Sequence, residues 1–224
     1  MLNLFKFGIR KSIGLVKANS KAKGYEQAPP KLAFEQLEDR VVPATFDWAG
    51  QANDTWINPQ SWRVNGAIPA NAPGPADIAR FTNANNNPSK VDANFGGAVL
   101  AIELAGYTGT ITLERAVSAN RLELRSGTIA GAFPIAISGS GAWSGGRLVG
   151  NGVPTASSLV IGGNATFDFS GNLDLAGRVI RNDGTINWIG NSTVATSAGG
   201  SIFNFASGAI IKQKMQNVAT VGTM

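Results

Sequence analysis

The chain contains neither cysteine nor histidine in its 224 residues. Without cysteine it can form no disulfide framework and no thiolate metal site. Without histidine it lacks the commonest general base and the commonest metal ligand, which excludes Ser-His-Asp hydrolases, His-ligated zinc enzymes and most His-dependent nucleases. These two absences narrow the range of functions more than any motif that is present.

Long apolar runs are also missing from the N-terminal region. Its longest run, residues 13–16, is short beside the roughly 7–15 residues of a signal-peptide core and the roughly 18 needed to span a bilayer. Apolar residues instead recur every three or four positions among lysines and arginines. We therefore expect a basic leader, helical or mostly disordered, that contacts a membrane surface or export machinery.

Positive charge is scarce outside that leader. Residues 1–40 hold eight basic against four acidic residues, whereas residues 41–224 hold eleven against ten. The high isoelectric point therefore belongs to the leader, and the nearly neutral body has no basic stripe for nucleic acid. We expect no nucleic-acid partner.

A compact charged cluster ends the leader at Leu37, Glu38 and Arg40 and runs into Pro43. This segment resembles the LEPR/LEDR-type sorting segment that opens many secreted and cell-surface proteins of planctomycete-type bacteria. The resemblance implies a secreted or cell-surface location, with residues 1–44 as leader and linker. A short helix with an exposed charged face is the alternative.

Three of the five tryptophans, Trp48, Trp56 and Trp62, fall within fifteen residues of the segment 45–96. The segment resembles the opening of bacterial secreted β-helix proteins, where it caps the first rung, a rung being one complete turn of the coil. We predict such a Trp-rich cap, because an open solenoid end needs covering. The alternative is a carbohydrate-binding site in which exposed indoles stack on sugar rings.

Residues 97–224 contain 21 of the 28 glycines and short runs of alternating apolar residues. The alternation is typical of strands and not of helices. Gly-x-apolar units recur at spacings of 17 to 24 residues, which predicts an all-β solenoid of roughly six rungs. A β-sandwich or jelly roll is the alternative, weakened because within residues 97–224 an Asn-Gly hairpin turn flanked by strands occurs only at residues 151–152.

Two segments, 178–190 and 201–212, resemble rungs of right-handed parallel β-helix (autotransporter or adhesin-like) surface proteins. In this interpretation Asn182 and Asn204 lie at rung corners, where asparagine can adopt positive φ and its amide can form a ladder with the next rung.

Few residues offer catalytic chemistry. Carboxylates on adjacent rungs, or carboxylates beside arginine, would suit polysaccharide cleavage, and the candidates are Asp168, Asp174, Asp183, Arg178 and Arg181. Asp168 and Asp174 are possible neighbours across rungs, and Asp174 with Arg178 is a possible acid–base pair. Phosphate-binding, dinucleotide-binding and calcium motifs are absent from the sequence.

We therefore expect a non-enzymatic, adhesin-like extracellular scaffold without cofactor or metal. Its expected partners are surface polymers such as polysaccharide, or copies of itself through open solenoid ends. The alternatives are a fragment of a polysaccharide-processing β-helix enzyme and a carbohydrate-binding module.

Overall fold

The alternating apolar pattern folds into short strands throughout the part of the chain that the computed structural model describes, residues 42–151, 158–205 and 208–213. That part contains no α-helix, and its one short 3-10 turn is Pro59–Ser61. The strands are β1 (Thr45–Trp48), β2 (Asp54–Thr55), β3 (Trp62–Arg63), β4 (Ile78–Thr82), β5 (Ser89–Val91), β6 (Ala98–Ala105), β7 (Thr110–Leu113), β8 (Val117–Leu124), β9 (Thr128–Gly131), β10 (Ile135–Trp143), β11 (Arg147–Val149), β12 (Ser158–Ile161), β13 (Thr166–Phe169), β14 (Asn172–Ala176), β15 (Val179–Asn182), β16 (Thr185–Ile189), β17 (Thr193–Ser197), β18 (Ser201–Asn204) and β19 (Ala209–Gln213).

These strands build a parallel β-solenoid of about six rungs, as predicted. The smaller sheet has the order β17-β14-β11-β9-β7-β5-β2. The larger sheet has the order β18-β15-β12-β10-β8-β6-β4-β1-β3. It branches at β10, which also pairs with β13; β13 pairs in turn with β16, and β16 with β19. Nearly all the described strand pairs are parallel, so the sandwich alternative, which requires antiparallel hairpins, is wrong.

Rung length varies along the coil. Ala101 pairs with Arg121, an offset of 20 residues, and Val117 pairs with Ile135, an offset of 18. The offset grows to 27 between Arg147 and its partner on β14. The predicted period near 20 therefore describes the regular rungs, and the longer ones carry extra residues in their connections.

The core consists of columns of apolar side chains, because strands in register place the same face of each rung inward. One column descends the larger sheet through the buried residues Leu104, Leu124, Trp143, Phe169 and Trp188. Each member packs on the rungs above and below it, so a single rung buries little without its neighbours.

An aromatic cluster fills the N-terminal end of this core. The rings of Trp48 and Trp56 both stack on Phe81 at centroid distances of 5.6 Å, and Trp62 meets both indoles edge-on. β3 pairs antiparallel with β1 on the edge opposite β4, so Trp62 faces Trp48 across that pair. Strand pairing thus covers the first edge of the larger sheet.

The predicted asparagine ladder is present. Asn182 and Asn204 are register partners, and Asn182 Nδ2 donates to Asn204 Oδ1 at 2.6 Å. The same nitrogen donates to the carbonyl of Ala209, and Asn182 Oδ1 accepts from the Gly184 amide. Neither asparagine uses the positive φ that a corner would allow, because each is the last residue of a strand. The non-glycine residues with positive φ in the described chain are Asn53, Asn65 and Ala198.

Candidate functional site

The acidic residues singled out from the sequence do not converge. Asp168 lies on β13 of the larger sheet, where its Oδ1 accepts from Asn187 Nδ2 at 2.8 Å. Asp174 lies on β14 of the smaller sheet and pairs with Arg147 at 2.8 Å. The predicted proximity of Asp168 and Asp174 is therefore wrong, because the chain turns from one sheet to the other between them.

The third acid and its neighbouring arginine form a local pair. Arg181 Nε lies 2.9 Å from Asp183 Oδ2, and the Arg181 guanidinium also lies over the Phe205 ring, 4.5 Å from its centroid. Both contacts join residues within two rungs at the C-terminal part of the solenoid. They stabilise the coil surface and form no cleft.

Arg178 has a different environment from the one predicted. Its side chain is fully buried and donates to the backbone carbonyls of Gly131, Phe133, Val149 and Ser158. Removal from water lowers the pKa of Arg178 to about 10. The predicted acid–base pair with Asp174 is wrong, because the guanidinium points into a corner of the coil while Asp174 pairs with Arg147 on the outside.

The three tryptophans proposed for sugar stacking are buried. Trp48, Trp56 and Trp62 have relative exposures of 4%, 0% and 0%. Their indole N–H groups donate within the fold, to Asn87 O, Ser89 Oγ and Trp56 O respectively. In this conformation no indole face among the three is open to a sugar, and the rings serve as core.

The asparagine-rich segment 83–88 contributes to the same end of the solenoid. The side chains of Asn85 and Asn87 both donate to the carbonyl of Gly50, at 2.8 and 3.0 Å, and Asn86 Oδ1 accepts from the Thr108 amide at 2.7 Å. These bonds tie the loop to neighbouring rungs. Of the predicted sorting motif, Pro43 is exposed just before β1, while Leu37, Glu38 and Arg40 lie outside the described residues.

The most chemically distinctive surface in the described chain is a row of charged side chains of both signs on the outer face of the larger sheet. We call it the charged row, and its members are Asp47, Arg80, Glu103, Arg121, Glu123 and Arg125. Asp47, Arg80, Glu103 and Glu123 follow one another in register on β1, β4, β6 and β8. The row carries three positive and three negative charges, so it is neutral.

Every acid of the charged row is bonded to an arginine. Arg80 Nη2 donates to Asp47 at 2.9 Å, and this bonding raises the pKa of Arg80 above its usual value. Glu103 and Glu123 face each other across adjacent strands, where like charges repel. Arg121 bonds to both carboxylates, and Arg125 Nη2 bonds to Glu123 at 2.9 Å.

Four members of the charged row line a shallow depression of about 140 Å³. Its lining residues are Glu103, Leu104, Ala105, Arg121, Glu123 and Arg125. Here Glu103 and Glu123 lie one rung apart beside the guanidinium of Arg121. The sequence analysis expected this arrangement of two carboxylates and an arginine at Asp168 and Asp174. The sequence carried a signal: Ile102-Glu103-Leu104 and Leu122-Glu123-Leu124 share one alternation 20 residues apart, which is the offset between β6 and β8.

The described residues contain neither a metal-ligand cluster nor a membrane-spanning helix. No group of three or more acidic residues there is placed to hold a metal ion, and no helix there is long and apolar enough to cross a membrane. Comparison with protein-family models, with curated proteins and with solved structures finds no match.

Proposed function

We propose that this chain is a non-enzymatic structural protein of the cell surface or extracellular space. The solenoid would act as a stiff scaffold that presents polar outer faces to surface polymers, polysaccharide among them, or to other copies of the chain. In this proposal the basic leader and its sorting-like segment direct export and contact the membrane or the export machinery.

The observation that carries the proposal is the use of outward polar side chains as contacts between rungs. Four outward acids, Asp47, Glu103, Asp168 and Asp174, are each bonded to a side chain of an adjacent rung. Such pairing holds a regular surface in place along the coil. A catalytic carboxylate is instead expected in a cleft that tunes its pKa.

Location is tested by treating intact source cells with a protease that cannot enter them and then probing for the solenoid with an antibody. The proposal expects loss of the full-length band from intact cells, while a cytoplasmic marker protein survives. Survival of the band on intact cells, with digestion only after lysis, would overturn the proposed location.

Self-association is supported by exposed apolar side chains near the last described strands, namely Ile189, Phe203, Phe205, Ile210 and Ile211. β17, β18 and β19 each pair on one side only within the described chain, and unpaired edges invite strand addition. Sedimentation equilibrium should show concentration-dependent association that Phe203→Ser weakens. Phe133→Ser is the matched control, because Phe133 is similarly exposed but lies on a central rung.

Polysaccharide cleavage is the second candidate, and the pair Glu103 and Glu123 beside Arg121 favours it. Release of new reducing or unsaturated ends from a panel of neutral and acidic polysaccharides tests it. Activity that Glu103→Gln and Glu123→Gln abolish, and that Asp174→Asn leaves intact, would replace the scaffold proposal with an enzymatic one.

A further inference from the structure

Arg178 is a fully buried cation whose described hydrogen bonds all go to backbone carbonyls. Nη1 donates to Phe133 O and Ser158 O at 3.2 Å, Nη2 to Gly131 O at 3.0 Å, and Nε to Val149 O at 3.2 Å. No carboxylate among the described residues pairs with it. A buried guanidinium is costly unless its donors are satisfied, and here carbonyl oxygens satisfy them.

Two of these carbonyls stand at opposite ends of one connection. Val149 is the last residue of β11 and Ser158 is the first residue of β12. The guanidinium therefore joins the last residue of β11 to the first residue of β12. The other two carbonyls, of Gly131 and Phe133, belong to the corner between β9 and β10 on the preceding rung.

The same connection interrupts the regular spacing of the coil. Thr128 and Arg147 pair at an offset of 19, whereas Arg147 and Asp174 pair at an offset of 27. The next step on the larger sheet, from Ile135 to Leu159, has an offset of 24. A strand that re-enters after extra residues must recover its register, because a slip of one residue exchanges its inward and outward faces.

We propose that Arg178 is a clasp that holds both ends of the connection between β11 and β12 against the preceding corner, so that β12 enters the sheet in register whatever the length of that connection. Arg178 is then a positioning residue that acts through backbone carbonyls. The connection it closes is the place where this solenoid accepts added sequence.

Register is measured by cross-linking between introduced cysteines. Because the native chain contains no cysteine, only the introduced thiols can react. Ala136→Cys with Val160→Cys places thiols on register partners of β10 and β12, and Ala98→Cys with Ser118→Cys does the same on β6 and β8 as an internal control. Each pair is treated with a short thiol-reactive cross-linker. The measurement is made with the native connection and again with a Gly/Ser segment inserted between residues 154 and 155. Each of these two forms is prepared with Arg178, with Arg178→Lys and with Arg178→Met.

With Arg178 present, the insertion should leave both cross-links at their parent yield. With Arg178→Met the yield at 136/160 should fall at least tenfold on insertion while that at 98/118 is unchanged. Arg178→Lys should give a partial loss, because one ammonium cannot reach all four carbonyls. An unchanged yield at 136/160 in the Arg178→Met insertion variant would overturn the clasp. An equal fall in the cross-link yield of the control pair 98/118 in the Arg178 variants would also overturn the clasp. It would mean that the whole core requires Arg178.

Discussion

At the scale of single residues, one glycine determines whether a column of core side chains can pack. Gly141 lies on β10 between Leu122 and Phe167, its register partners. A Cβ at Gly141 would overlap the buried Phe167 ring, which cannot move away because it packs edge-on against Phe169. The missing side chain of one rung therefore makes room for the large side chain of the next.

We expect Gly141→Ala to lower the free energy of unfolding by about 1–3 kcal/mol through overpacking. Denaturant unfolding of the variant measures this. Gly96→Ala is the matched control, because a Cβ at Gly96 meets nothing within 4 Å. Equal stability of the two variants would contradict the packing argument.

Tyr107, which packs on the aromatic cluster, should make folding stability depend on pH in alkaline solution. Its side chain is fully buried and its hydroxyl donates to Asn87 O at 2.9 Å. Burial raises the pKa of Tyr107 to about 12, above the unfolded value of about 10. The native state therefore favours the neutral phenol, and the stability that this contributes is complete below about pH 10 and is lost as pH rises toward 12.

Between about pH 10 and 12 we expect the denaturant midpoint of the protein to fall relative to that of Tyr107→Phe. Comparing the two proteins separates the phenol from other groups that titrate there, Arg178 included. Tyr25→Phe leaves Tyr107 as the sole tyrosine, so ultraviolet titration of the phenolate reads its pKa directly. An ordinary value near 10 would contradict the burial argument.

At the scale of elements, the asparagine ladder secures the corner between β15 and β16. Asn182 is fully buried and bonds to Asn204, Ala209 and Gly184. Asn182→Ala should lower the free energy of unfolding by about 1–3 kcal/mol, because it leaves buried polar partners unpaired. Asn172→Ala is the control. Asn172 is exposed and its side chain accepts only from Thr193 in the described chain, so we expect a change within about 0.5 kcal/mol.

The charged row offers a second test at this scale. Arg121→Met keeps the apolar stem but leaves Glu103 opposite Glu123. We expect a loss of about 0.5–1 kcal/mol that shrinks at high salt, because the side chains are partly exposed and the repulsion is screened. Arg121→Met combined with Glu103→Gln should recover most of the loss. A loss independent of salt would point to packing instead of charge.

At the scale of the whole molecule, the solenoid and its rung length were predictable, and the pairing of side chains across rungs was only partly so. Alternation and glycine spacing identify strands and period, because both follow from local geometry. Pairing depends on the exact offset between rungs, and those offsets vary from 18 to 27 after residue 98. The in-register pair Asn182 and Asn204 was found because its surrounding motifs repeat, whereas Asp168 and Asp174 were misplaced by a change of sheet.

Buried contacts were the least predictable part. Arg178 reads in the sequence as a surface cation beside an acid, and only the corner geometry directs it to four carbonyls. The tryptophans were placed correctly near the N-terminal end, but their individual hydrogen-bond partners lie up to 39 residues away in the chain.

Stability should decline toward the last described strands. Every outward-facing residue of β17 is exposed, and β18 is at least partly exposed throughout, whereas β8 and β10 carry buried residues at both ends of the strand. Hydrogen exchange should therefore be faster on β17 and β18 than on β8 and β10, since local opening follows burial. Uniform protection along the coil would contradict this expectation.

The parallel ladders also determine how the coil responds to force. Each ladder joins a strand to one that lies some twenty residues further along the chain. Tension on the last strand would load the hydrogen bonds of one rung at a time, and each rung that detaches would release about 70 Å of extended chain. The molecule would thus lengthen stepwise, one rung at a time, and each step would absorb mechanical work. Such a response suits a protein anchored at one end and pulled at the other.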